Sequence, residues 1–403
     1  MASDLVPPRP LTAAWLRSCA SDAASWPELV EGEVQEQALQ VGEEGVNSEV
    51  TQLRVLRAGG LERLLIVKRA ARGPALGVAL FQRWYQRERG FYAELAPWLS
   101  ALSATAAHNN NNYNNSAALQ LPGCVALGLA SLGPAAEAFC LVLEQLAPPE
   151  WHAAEPARGC SAEEATSAVA ALAWLHGCGL AEPARLACSS WLPLTPVHLE
   201  YGPQVQAYYA GAWSQVRDEL PQGTLSPSAV AMCESLCEGY PMLLRRLAQP
   251  PCTLVHGDFR LENLRFKAGA VAAFDWQFCC KARGAYDLAY FLALSLSPIR
   301  RREQESQLRR TYTEAVQRLA GKTADAALAE LDLDLCVAVL LILASFVMGA
   351  ATAPEETQEM HWRSLSWLGQ AACEWNAGRV LPGGLSGLGS SGFRPEISVG
   401  AGF

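Results

Sequence analysis

The chain of 403 residues is short of charge and has no basic excess: Lys and Arg number 31 against 40 Asp and Glu, the formal net charge is -9, and charged residues make up only 18%. A surface of that sign repels nucleic acid and anionic lipid, so neither is expected as a partner. The local basic runs, Arg54 to Arg72 and Arg300 to Arg310, do not amount to a nucleic-acid footprint. Cysteine is present in 13 copies, an odd number, but zinc-knuckle spacing is absent. Neither Cys233 with Cys237 nor Cys279 with Cys280 has a second pair to complete a metal site, and no cysteine has a mechanistic partner in its sequence context. Free, buried thiols in a reducing compartment are therefore expected. No basic-then-apolar leader follows Met1, which argues against secretion and for a cytoplasmic location. Long hydrophobic runs are lacking too. The longest, Leu335 to Ala350 with Ser345 inside it, falls short of a usual membrane span and reads as a buried helix, so stable membrane insertion is not expected. Nothing marks a protein partner.

What the chain does have is 50% apolar residues, enough over this length to bury a substantial core. Its chemistry gathers in one stretch, Cys252 to Leu292, CTLVHGDFRLENLRFKAGAVAAFDWQFCCKARGAYDLAYFL. Two short apolar segments, Thr253 to Val255 and Ala270 to Phe274, each deliver the chain to polar groups that such a core would otherwise exclude. The first leads into His256-Gly257-Asp258, with Asn263 five residues after the aspartate, and the second leads into Asp275. Phosphoryl transfer needs a carboxylate to orient the acceptor hydroxyl and take its proton, together with hard oxygen ligands that hold magnesium against the phosphates. Asp258 is placed to be the base, and Asn263 and Asp275 to be the metal ligands.

This spaced set resembles the small-molecule branch of the protein-kinase-like fold, the aminoglycoside and choline phosphotransferases. There the loop reads HGD followed by Asn, and the metal aspartate precedes a variable residue. The continuations Asp275-Trp276-Gln277 and Gly284-Ala285-Tyr286-Asp287-Leu288 look most like the ecdysteroid-kinase-like (CHK kinase-like) families. The resemblance implies an α+β, two-lobed, protein-kinase-like fold, with a small β-rich N-lobe carrying one main helix and a larger, mostly helical C-lobe. The implied boundaries are a partly helical N-terminal extension over 1–40, the N-lobe over 41–147, the C-lobe over 148–378 and a disordered, Gly- and Ser-rich tail over 379–403. The Asn-rich tract at 108–115 is polar and of low complexity, so it is expected to extend a surface loop.

Several residues acquire roles only within that resemblance. The turn Gly42 to Ser48 falls where a phosphate-covering hairpin belongs, which makes Gly45, Asn47 and Ser48 candidates for nucleotide contact; taken alone it is an ordinary surface turn. Lys68, at the end of the apolar run Leu64 to Val67, is either a solvated strand terminus or the lysine that reaches the α and β phosphates. It would need a carboxylate to hold it. Glu88, in a Glu-x-x-Phe-Tyr motif, is the preferred partner, and Glu94 the alternative on another helix face. Leu141 to Leu146 matches the segment entering the hinge, where the backbone at Glu144 and Leu146 would meet the adenine edge. Ser161 and Glu164 have capping-box spacing before a helix running to His176, with Gly177 and Gly179 as its stop. His176, His256 and Asp287 are read as structural supports of the catalytic loop. Arg260 is a secondary catalytic candidate near the γ-phosphate, or a solvated loop cation. Trp191, Tyr201, Tyr208, Tyr209, Trp213 and Tyr240 either line an acceptor pocket suited to an apolar alcohol or pack helices together.

The functional expectation is an ATP-dependent phosphotransferase, with ATP and Mg2+ as cofactors, acting on a hydroxyl of a small molecule. A catalytically inactive, kinase-like module that binds a nucleotide or metabolite is the other class.

Overall fold

Alternation of apolar and polar residues along three N-terminal strands decides which face of the first lobe is dry. The computed structural model describes residues 9–19, 33–38, 48–56, 62–71, 82–108, 118–131 and 137–384. It opens with helix α1 (Ala13–Cys19), followed by strands β1 (Glu33–Ala38), β2 (Ser48–Leu56), β3 (Glu62–Ala70), β4 (Cys124–Ser131) and β5 (Glu137–Glu144). These pair antiparallel in the order β1-β2-β3-β5-β4. Leu53, Val55, Leu65, Val67, Val125 and Val142 face one way and pack against Leu11, Trp15 and Leu16 at α1. Phe139, Leu141 and Leu143, on alternate positions of β5, face the other way, toward Tyr85, Phe91 and Tyr92 of the lobe's long helix. That helix is built from α2 (Trp84–Gly90), a π-helical turn (Phe91–Leu95) and α3 (Ala96–His108).

The second lobe is dominated by helices: α4 (Ala162–Ala181), α5 (Pro183–Cys188), α6 (Gly202–Glu219), α7 (Pro227–Leu247), α8 (Ala285–Leu294), α9 (Pro298–Ala320), α10 (Lys322–Leu328), α11 (Leu331–Ala350) and α12 (Gln358–Glu374). Between α7 and α8 lie four short strands in two antiparallel pairs. β6 (Thr253–Val255) pairs with β9 (Cys280–Ala282), and β7 (Leu264–Lys267) with β8 (Ala270–Ala273). The architecture is the two-lobed kinase-like one.

Local readings fail where tertiary packing overrides propensity. Strand β1 lies inside the stretch assigned to a partly helical extension, and it adds an edge to the N-lobe sheet. Its sequence, EVQEQA, hides this because its polar side chains have specific partners. Glu36 binds the Arg69 guanidinium through both carboxylate oxygens, accepts from Thr51 Oγ1, and takes the Leu11 N–H at 2.8 Å. Lys68 does not end its strand, since β3 continues to Ala70. The capping box of Ser161 and Glu164 forms, but Gly177 and Gly179 do not stop α4, which runs on to Ala181. Both are interior because neighbours press against the helix. A Cβ on Gly177 would lie 2.6 Å from the Leu319 side chain, and one on Gly179 would lie 2.3 Å from Thr253 Oγ1 and 2.7 Å from Leu254 N. The second contact seats β6 directly on α4. Gly179→Ala is therefore expected to cost about 2 kcal/mol of stability through overpacking, read as a lower thermal midpoint; an unchanged midpoint would show that β6 is not held there.

Tyr209, Trp213 and Tyr240 are buried where α6, α7 and their neighbours pack, and the Tyr209 hydroxyl donates to Cys233 O at 2.9 Å. These three are helix-packing core, not pocket lining, and Tyr208 is exposed. Helix α11 gains a turn before Leu335 and is long and apolar enough to cross a membrane, but 78% of its most apolar window is buried among neighbouring helices. The twelve cysteines from Cys124 to Cys373 are free thiols. Gly45, Asn47, the Asn-rich tract from 109 to 117 and the tail from 385 onward lie outside the described residues.

Candidate active site

Strand β6 is buried at all three positions, and it carries the chain from the α4 surface straight into His256-Gly257-Asp258. The main chain that follows is held from behind by one carboxylate. Asp287, on the first turn of α8, is fully buried and accepts the N–H of His256 at 2.6 Å and of Gly257 at 2.8 Å. His176 meets the same carboxylate through Nε2 at 3.3 Å, while its Nδ1 pairs with the Tyr312 hydroxyl at 2.7 Å. His256 turns its ring inward, with Nε2 at 3.0 Å from Phe274 O and Nδ1 accepting the Asp258 N–H at 3.2 Å. Gly257 has φ +89°, and a Cβ there would lie 2.3 Å from Phe278 O, so both backbone conformation and space require glycine. Asp287→Ala would strand two buried N–H groups without acceptors, each costing about 1–3 kcal/mol. A marked fall in thermal midpoint is expected, and its absence would remove Asp287 as the loop's anchor.

With the backbone fixed, Asp258 emerges almost wholly buried and is gripped by its own loop. Asn263 Nδ2 donates to Asp258 Oδ2 at 2.8 Å and to Asp258 O at 2.9 Å. Arg260 Nε donates to Oδ1 at 2.9 Å, its Nη1 reaches Glu262 at 3.0 Å, and its guanidinium lies over the Phe346 ring. Burial would lower the Arg260 guanidinium, but Asp258 and Glu262 hold it above its ordinary value. Arg260 is thus a bound partner of the loop carboxylates and not a solvated cation.

Asp275, two residues past the end of β8, lies in the left-handed region, φ 66° and ψ 62°, a conformation uncommon for residues other than glycine but tolerated by aspartate. Its neighbour Trp276 is fully buried and stacks on Phe91 at 3.7 Å between centroids. That stack ties Asp275 to the helix carrying Glu88, because Phe91 lies three residues on, in the π-helical turn. Lys68 from β3 closes the group. Its Nζ lies 2.7 Å from Asp275 Oδ1 and 2.8 Å from Glu88 Oε2. Burial would lower the Lys68 ammonium, but the Asp275 and Glu88 charges hold it above its ordinary value. Burial pushes the fully enclosed Glu88 carboxyl up, with Lys68 pulling the other way. Glu94 is exposed and sits beside Ser189, away from Lys68.

At the lobe junction the Glu144 N–H is taken by Gly123 O at 2.8 Å and the Gln145 N–H by Leu64 O at 3.1 Å. Leu146 N–H is the next main-chain donor along the segment. The Glu144 side chain pairs with Arg63 at 3.1 Å. Ser48 begins β2, and its buried hydroxyl has no hydrogen-bond partner among the described residues. One feature was missed in the sequence. Arg265 lies over the Phe274 ring at 4.8 Å, next to Asp275.

A model of the ecdysteroid kinase-like family matches residues 48–323, two thirds of the chain, from β2 through the loops just described and into α10. The chain belongs to the ecdysteroid kinase-like family. That membership supports, in general terms, ATP-dependent kinase activity on small molecules. No protein of curated function matches the sequence. Among solved structures the chain is similar to a choline kinase from Cryptosporidium parvum Iowa II (9% identity, TM-score 0.49, covering 90% of this chain and 93% of that one). It is also similar to the GDP complex of wild-type aminoglycoside 2'-phosphotransferase-IIIa (13%, TM-score 0.46, 87% and 96%). An amicoumacin kinase in complex with AMP-PNP, Ca2+ and its ligand is a third (13%, TM-score 0.45, 83% and 88%).

Among the described residues no three His, Cys, Asp or Glu side chains gather as a ready metal cluster. A magnesium site of the nucleotide kind does not need one, because the phosphates and water supply most of its oxygens. The donor set fits such a site: Asp275 is partly open to solvent, and both side-chain hydrogen bonds of Asn263 use its nitrogen, leaving the oxygen.

Proposed function

We propose that this member of the family transfers the γ-phosphate of ATP to a hydroxyl of a small molecule, with Asp258 as the base. The observation that carries the reading is Lys68 Nζ set between Glu88 at 2.8 Å and Asp275 at 2.7 Å, on segments up to 207 residues apart. Three buried or half-buried charges would not be assembled at such desolvation cost for packing alone. In this reading Lys68 contacts the α and β phosphates and Glu88 keeps it aimed. Asp275 and the Asn263 oxygen would hold Mg2+, which supplies charge neutralisation along the phosphates when bound. In the same reading Ser48, Gly45 and Asn47 would contact the phosphates, and backbone groups between Glu144 and Leu146 would meet the base.

Asp258 orients the acceptor hydroxyl and takes its proton as the new O–P bond forms and ADP departs. Arg260 stands beside that carboxylate, able to share its charge with the transferring phosphoryl group. The acceptor is a small hydroxylated molecule. Tyr209, Trp213 and Tyr240, absorbed into the core, give no support to an apolar preference for the acceptor.

The test is thermal stabilisation by ATP with and without magnesium. A shift that requires magnesium is expected; no shift with either would refute a competent nucleotide site.

A further inference from the structure

We infer that the segment from Glu182 to Pro196 is a clamp that positions Glu88 for Lys68, with Arg87 and Gly90 as its positioning contacts on the helix. The consequence for nucleotide binding rests on the reading of Lys68 as the phosphate contact. Clamp and helix run past one another in opposite directions. Trp98 Nε1 donates to Glu182 Oε2 at 3.2 Å, and Arg185 and Ser189 hold Glu94, through its main-chain oxygen at 2.7 Å and its carboxylate at 3.4 Å. A turn earlier the Trp191 ring lies against Gly90, where a Cβ would come within 2.4 Å of it. Earlier again, Arg87 Nη1 donates to Pro196 O at 2.7 Å. Residues 87, 90, 94 and 98 recur at intervals of three and four, so these contacts form one stripe along the helix. Glu88 stands beside that stripe, and any turn or slide of the helix moves its carboxylate against Lys68.

The same segment also holds the chain that carries the second carboxylate at Lys68. Pro193 O accepts the Lys281 N–H of β9 at 2.7 Å, and β9 begins five residues after Asp275. Between them, Phe278 meets Trp84 of α2 at 5.0 Å between ring centroids. One stretch of the C-lobe thus sets where Glu88 and Asp275 stand, and Lys68 Nζ spans them at 2.8 and 2.7 Å. Packing alone does not account for Arg87. It is fully buried, with no carboxylate partner among the described residues, and its Nε and Nη2 have no hydrogen-bond partner there. A charge buried against one neutral acceptor costs stability, and an apolar side chain of similar length would fit without loss or with a gain. What Arg87 supplies in return is a fixed point between helix and clamp.

The test is Arg87→Met, with Gly90→Ala as the second variant. The readout is the rate at which an N-hydroxysuccinimide ester modifies Lys68 in nucleotide-free protein, followed by peptide mass spectrometry with the half-exposed Lys267 as reference. Labelling of Lys68 relative to Lys267 should rise about tenfold in either variant, the scale of one lost hydrogen bond, while Arg87→Met keeps at least the wild-type thermal midpoint. Binding of Mg·ATP, measured by isothermal titration, should weaken by a similar factor. Wild-type labelling of Lys68 in the folded variants would overturn the clamp. A parallel rise at Lys68 and Lys267 with a lowered midpoint would overturn it too, as the mark of general loosening. If Gly90→Ala does not fold, Arg87→Met decides alone. Because labelling is read without nucleotide, the clamp and the proposed function fail separately: a wild type that does not bind Mg·ATP refutes the function, and Lys68 labelling still decides the clamp.

Discussion

Asp258→Ala is expected to reduce phosphate transfer by about a thousandfold or more, within the range found for positioned general bases, while Mg·ATP binding persists. The argument is one of location. Among the described residues the hydrogen bonds to the Asp258 carboxylate come from Arg260 and Asn263, not from Lys68 or Glu88. Its loss should leave the lysine-centred cluster intact and remove the proton acceptor for the incoming hydroxyl. The backbone of the loop should survive, because Asp287 holds it independently. Asn263 and Arg260 each lose a partner, so some local loosening will accompany the variant, and a retained Mg·ATP thermal shift is the control that the site still assembles. Near-normal transfer by the folded variant would mean that the proton goes elsewhere.

Asp275→Ala should behave differently, abolishing both transfer and the magnesium-dependent part of nucleotide binding. Asp275 is in direct contact with Lys68 and is the better placed of the two oxygen donors for a metal. Removing it leaves Lys68 paired with Glu88 alone, which relieves the crowding of two carboxylates around one ammonium. The variant is therefore expected to fold, possessing a lysine still buried and paired. Binding of ATP measured by thermal shift should become weak and insensitive to magnesium. A variant that retains the full magnesium-dependent shift would remove Asp275 from the metal site.

The contrast between these variants reflects what was legible in the sequence. His256-Gly257-Asp258, Asn263 and Asp275 stand out because each follows a short apolar strand, and the offset from Asp258 to Asn263 is local enough for one loop to close on itself. Glu88 was legible only through its motif, since nothing in the residues themselves says that Phe91 stacks on Trp276 and so brings the helix to Asp275. Strand β1 was hidden by its polar face, whose logic lies in Arg69 and Thr51, well along the chain. Gly177 and Gly179 carry a helix-stop signal that close packing against Leu319 and Thr253 reinterprets. The aromatic residues between α5 and β6 could not be divided between pocket and core without the helix faces, and the structure buries three of them.

The most direct measurement is phosphate transfer from Mg·ATP to a panel of hydroxylated small molecules, followed by mass spectrometry, with wild type and Asp258→Ala run side by side. The account predicts a phosphorylated product from wild type that is lost in the variant, while both proteins show the magnesium-dependent ATP shift. Equal product from both proteins, or no Mg·ATP binding by the wild type, would contradict it.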